Sequence, residues 1–126
     1  MKFARIVFWV AGGYGVLVLA PLYFMFDLLG RQDPPPITHP QFYYGFAGVA
    51  LAFQFVFFVI ARDPARFRPM MIPSVLEKVS YAGAILVLWE QGRISPQGAM
   101  TGVPDALLAL LFAAAFLGTR PSSQHA

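Results

Sequence analysis

Four stretches of this chain are apolar almost without interruption, and segments rich in proline or charge separate them. The first runs from Ile6 to Phe26, long enough to cross a hydrocarbon core of about 30 Å as a helix. The second, Phe42 to Ala61, has no charge inside and holds eleven Leu, Ile, Val and Phe residues. At about −0.3 to −0.6 kcal/mol each, these favour insertion by roughly 3 to 7 kcal/mol. The third, Val75 to Trp89, carries Glu77 and Lys78 near its start. At the bilayer centre each charge costs about 2.5–3.5 kcal/mol, so both are expected near a membrane surface, with Lys78 snorkelling outward. Pro73 and Ser74 mark the predicted helix start, and Ser74-Val75-Leu76-Glu77 has the spacing of a capping box.

The fourth stretch, Ala106 to Leu117, is short. Pro104 suits a first helical position, Asp105 suits the positive helix end, and Gly118 and Pro121 close it. From Pro104 to Thr119 such a helix is about 24 Å long, which spans only with local thinning or help from flanking residues. The pattern therefore predicts an all-α, four-helix transmembrane bundle of up-down topology over residues 1–126. Its helices are placed at about 5–27, 41–61, 74–91 and 104–119, with a disordered tail at 121–126. Lys2, Arg5 and the Val18-Leu19-Ala20 triplet together resemble a cleavable leader. Pro21 would follow the cut, however, and the apolar run continues to Phe26, so retention is expected.

Composition points the same way. Of 126 residues, 58% are hydrophobic and only 12% are charged, about half the charged share of an ordinary soluble domain. The mean hydropathy is +0.63. A chain this short has too little interior to hide that many apolar side chains from water, which leaves lipid as the solvent. The net charge of +3 does not indicate nucleic acid, because the basic residues sit between apolar runs rather than along one face. With no cysteine there is neither a disulfide nor a thiolate metal site.

Lysine and arginine bias sets the expected orientation. An inside N-terminus puts Lys2, Arg5, Arg62, Arg66, Arg68, Lys78 and Arg120 on the cytoplasmic side, against Arg31 and Arg93 outside. Phe8, Trp9, Phe57 and Phe58 then form an inner aromatic belt, and Tyr23, Phe24, Tyr43, Tyr44 and Trp89 an outer one. Asp27, Asp33, Glu90 and Asp105 fall on the outer side. Both termini are expected to be cytoplasmic.

Candidate chemistry is sparse. Glu77 is an ionisable group within a span, and Tyr81 follows it one turn later, so the pair could take up a proton or hold a cation. The plainer reading of Glu77 is a helix cap balanced by Lys78 and the nearby arginines. Tyr14 and Gln54 fall at matching depths on the first two helices and could meet, either lining a polar pocket or making one interhelical hydrogen bond. The turn bearing Arg62, Arg66 and Arg68, with Lys78 beyond it, could bind anionic lipid headgroups or simply fix topology. Pairs of small residues four apart (Ala11 and Gly15, Gly48 and Ala52, Ala109 and Ala113) suit close helix packing within the bundle, or against a second copy or a membrane partner. Pro21 should kink the first helix. His39 and His125 lie outside the spans, so no paired haem ligands are available within the bundle. No metal or other cofactor is expected, and no nucleophile–base pair can be assembled.

The segment from Arg62-Asp63-Pro64-Ala65-Arg66-Phe67-Arg68-Pro69 through Met70-Met71-Ile72-Pro73-Ser74-Val75-Leu76-Glu77-Lys78 is the most distinctive in the chain. Together with the four-span layout, it resembles small bacterial membrane proteins of the DoxX-like group. That resemblance implies a four-helix protein of a bacterial inner membrane and carries no assigned activity. Small multidrug transporters share the length and span count, but their first helix carries a buried glutamate, and this one has no internal charge. The leading expectation is a non-enzymatic accessory or lipid-interacting bundle. The rival is a small transporter or ligand-binding bundle that uses the intramembrane glutamate.

Overall fold

The structure, a computed structural model, describes residues 2–120. The sequence expectations for the tail and for His125 lie outside the described residues. Helix α1 spans Lys2–Leu19, α2 Phe26–Gln32, α3 Pro40–Arg62, α4 Met71–Glu90, α5 Pro96–Met100 and α6 Gly102–Gly118. Two 3₁₀ turns, Ala20–Phe24 and Arg68–Met70, complete the elements, and no strand occurs among the described residues. Joined end to end, these pieces form four rods of 23 residues that are long and apolar enough to cross a membrane: Lys2–Phe24, Pro40–Arg62, Arg68–Glu90 and Pro96–Gly118. Each is about 34 Å long at 1.5 Å per residue.

The rod boundaries show where local chemistry differs from the sequence expectation. At Pro21 the α-helix gives way to the 3₁₀ turn, because proline has no N–H for the Leu17 carbonyl and its ring crowds the preceding turn. The third rod starts earlier than predicted. Ser74 lies inside α4, buried, and its hydroxyl donates back to the Met70 carbonyl at 2.7 Å. The expected capping box is therefore absent. Pro73 is tolerated because the first-turn N–H groups have no helical acceptor in any case.

The fourth rod is longer than predicted. Ser95 caps it, its hydroxyl accepting the Gly98 N–H at 3.0 Å, and Pro96 follows at the first helical position. Pro104, expected to open the helix, is already the third residue of α6. At 23 residues the rod is long enough to cross a hydrocarbon core of about 30 Å without local thinning.

Packing divides the bundle into two hairpins. α1 lies along α3, α4 lies along α6, and the α1–α6 contact joins the pairs, while α3 and α4 share only a short contact. The tightest core lies at one end. There Phe8 stacks on Phe112 with ring centroids 4.3 Å apart, and Phe57 meets Phe112 edge-on at 4.9 Å. Ala4, Val7, Ala11, Ile60, Ala61, Met71 and Ala115 pack around these rings. Since Ala4 and Ala115 belong to the same cluster, the start of α1 and the end of α6 lie together. Phe8 and Phe57, expected in a surface belt, are fully buried here. Trp9 and Phe58 remain paired outside them at 5.4 Å. At the other end Phe26 of α2 stacks on Tyr44, and the Tyr43 hydroxyl donates to the Leu22 carbonyl, so both α2 and the 3₁₀ turn before it are tied to the start of α3.

The outward faces are as apolar as the core. Leu17, Phe24, Leu110 and Leu117 are more than two-thirds exposed. Water-soluble monomers rarely present contiguous apolar surface on this scale. Rod length and outer surface together make this a small integral membrane protein with four candidate spans.

Candidate functional site

The side chains with unusual chemistry gather on the seam between α4 and α6. The buried residues of α4 are Met71, Ser74 and Lys78, a stripe at helical spacing that faces the other helices. Lys78 is only 5% exposed and sits near the middle of the Arg68–Glu90 span. Its ammonium lies 3.4 Å from Glu77 Oε2 and 3.5 Å from Asp105 Oδ1, and 5.2 Å from the centre of the Phe57 ring. Both carboxylate side chains are more than four-fifths buried.

Two expectations fail together here. Lys78 does not snorkel to a surface, and Asp105 does not sit at a helix end on the outer side. The cause is the fourth rod's early start at Pro96, which puts Asp105 well inside the span and opposite Lys78. A lone charge at that depth is costly, but an ammonium held between two carboxylates recovers much of the desolvation loss. The cluster holds two acids and one base. Glu77 Oε2 is buried, with the Lys78 ammonium facing it.

Tyr81 stands one turn beyond Glu77. Its hydroxyl lies 2.9 Å from Thr101 Oγ1, and its ring stacks on Phe46 of α3 at 5.4 Å. The Thr101 hydroxyl donates to the Gly98 carbonyl at 2.6 Å, so in the Tyr81–Thr101 bond the tyrosine is the donor. Thr101 and Asp105 were not singled out from the sequence as partners of α4. The signal that could have found them is the Ser95-Pro96 start, which brings both onto a rod facing Glu77 and Tyr81.

Tyr14 and Gln54 do not meet. Gln54 is fully buried in the α1–α3 seam, where its Nε2 donates to the Ala50 carbonyl at 2.8 Å. Its Oε1 has no hydrogen-bond partner and lies against Gly15, so close that a Cβ on residue 15 would overlap it. Tyr14, one residue round the helix, faces outward and is 44% exposed. Of the four residues expected to form a ligand or proton site, Glu77 and Tyr81 share the α4–α6 seam. Gln54 belongs to the other hairpin, and Tyr14 to the lipid-facing surface.

The basic residues also divide. Lys78 belongs to the buried cluster. Arg68 donates from Nε to the Phe116 carbonyl at 3.0 Å, and its guanidinium lies 3.7 Å from the centre of the Phe116 ring, pinning the end of α6 to the turn. Arg62 and Arg66 stay exposed. The small-residue pairs behave differently from one another: Ala11 and Gly15 are buried in the α1–α3 seam, Ala109 is buried and Ala113 half-buried on α6, and Ala52 is exposed. His39 is an exposed residue before α3, beside Thr38. Among the described residues, no three His, Asp or Glu side chains gather as a metal-binding set.

Compared with known proteins, the chain matches no family model, no curated protein and no solved structure.

Proposed function

We propose that this membrane protein binds a single monovalent cation, the proton being the simplest, at the Glu77–Lys78–Asp105 cluster. That is the transporter or ligand-binding reading rather than the accessory one. The observation that carries it is the charge count in a membrane-depth site: two largely buried carboxylates, Glu77 and Asp105, face the single ammonium of Lys78. Within a bilayer an unbalanced charge is held only at a cost, so a third party that restores neutrality binds favourably. Tyr81 and Thr101 extend the polar line one turn further along the same seam.

The setting we propose is a bacterial inner membrane with both termini cytoplasmic. The resemblance of residues 62–78 to small bacterial four-span proteins supports the first part. The arginine and lysine bias supports the second: with Lys78 buried, Lys2, Arg5, Arg62, Arg66, Arg68 and Arg120 stand on one side against Arg31 and Arg93.

The test is a titration of purified protein in unbuffered detergent with sodium or potassium chloride, following proton release and bound ion. The wild type should bind one cation per chain or exchange it for a proton, and Glu77→Gln and Asp105→Asn should each abolish the response. A wild type that binds no metal ion and, on acid–base titration, takes up no more protons than Glu77→Gln would leave the cluster as an internal ion pair only.

A further inference from the structure

Beyond the buried cluster, we propose that the turn between α3 and α4 carries a phospholipid site: a notch in which Arg62 and Arg66 hold the phosphate of an anionic headgroup while an acyl chain runs down α3. The notch is lined by Val59, Arg62, Asp63, Arg66 and Phe67 and encloses about 340 Å³. One water takes roughly 30 Å³ of liquid, so there is room for a phosphate and the glycerol carbons beside it. Arg62 is the last residue of the Pro40–Arg62 span, which sets the notch at the edge of the hydrocarbon, where headgroups lie.

The charges suit a phosphodiester. Neither Arg62 nor Arg66 has a carboxylate partner within ion-pair distance among the described residues. Asp63 is the acid in the notch, and its Oδ1 accepts the backbone N–H of Arg66 at 3.3 Å, which shapes the turn. Two guanidiniums and one carboxylate leave a single positive charge, the complement of one phosphodiester anion. The Arg66 guanidinium lies 5.3 Å from the centre of the Phe67 ring, which holds it beside the notch wall. A planar guanidinium presents paired N–H groups that match phosphate oxygens. Arg68 and Lys78 take no part, being committed to Phe116 and to the buried cluster.

What selects a phospholipid over free phosphate is the surface below. Val59 and Phe55 stand three and seven residues before Arg62, on the same face of α3, and are 44% and 55% exposed. An acyl chain descending from the notch meets this apolar track, which inorganic phosphate cannot use.

The experiment is native mass spectrometry of the full chain taken from nanodiscs of phosphatidylcholine mixed with phosphatidylglycerol. Wild type should retain phosphatidylglycerol preferentially. Each of Arg62→Gln and Arg66→Gln should weaken that retention about fivefold, and the double variant roughly twenty- to thirty-fold. Arg5→Gln, a charge at the same end of the bundle but outside the notch, should change little. Since both arginine side chains are exposed, unfolding of the variants should match wild type. Equal retention by the double variant, or an equal loss in Arg5→Gln, would overturn the site. So would displacement of the lipid by inorganic phosphate at ordinary buffer concentration, which would mean that the ligand is phosphate alone.

Discussion

The two hairpins of this bundle close their seams by opposite means. α1 and α3 approach through small residues: Gly12 lies under the Phe58 ring and Gly15 under Gln54, and no ionised group enters. α4 and α6 meet through charge, with Lys78 held between Glu77 and Asp105 and with Tyr81 bonded to Thr101 one turn away. In lipid both solutions work, because helices there gain nothing from hiding apolar surface from each other. They differ in what they leave over. The first seam is satisfied by shape, except for one buried amide oxygen on Gln54. The second retains one acid more than it has bases, which is what a cation site needs and a purely structural seam does not.

Breaking the charged seam should have the largest effect. Lys78→Met leaves two buried carboxylates without their cation and should cost about 3–5 kcal/mol of stability, measured by unfolding in mixed detergent micelles. Replacing all three charges at once, with Glu77→Gln, Lys78→Met and Asp105→Asn, should restore most of that stability while ion binding stays lost. That pairing separates the structural role of the cluster from its chemistry. In the other hairpin, Gly15→Ala drives a methyl group into Gln54 and should cost about 1–3 kcal/mol. Adding Gln54→Ala should recover part of the loss, giving a coupling energy between the two sites. Removing the cap that sets the register of the fourth rod, Ser95→Ala, should cost about 1 kcal/mol. The smallest effect belongs to Tyr81→Phe, which removes one interhelical hydrogen bond worth about 0.6 kcal/mol. If Tyr81→Phe proved as damaging as Lys78→Met, the seam would depend on the tyrosine rather than on the ion pair.

The sequence carried the four apolar runs, their order and the proline break at Pro21, because hydrophobic length and missing N–H groups act locally. It misplaced the ends of the third and fourth rods. Ser74 with Glu77 has the spacing of a cap, but tertiary packing winds the helix back to Met71 and turns the Ser74 hydroxyl inward as a donor. Ser95-Pro96 was the true start signal of the fourth rod, hidden in a polar loop. That displacement also concealed the site. Costing Glu77 and Lys78 one at a time pushes both to a surface, and only a partner brought to the same depth by another helix reverses the sign. Asp105 is that partner, and no local pattern connects it to Lys78. Tyr14 and Gln54 illustrate the converse: equal depth does not give contact, because the single step from Gly15 to Tyr14 rotates the side chain out of the seam.

Depth is the property on which the ion-binding proposal stands. The chain has no cysteine, so Ala106→Cys, exposed and next to Asp105, provides a single labelling point for a nitroxide in liposomes. A cluster buried mid-bilayer predicts strong relaxation of that label by dissolved oxygen and almost none by a water-soluble nickel chelate. Strong relaxation by the nickel chelate would put Asp105 at a membrane surface and contradict the proposal.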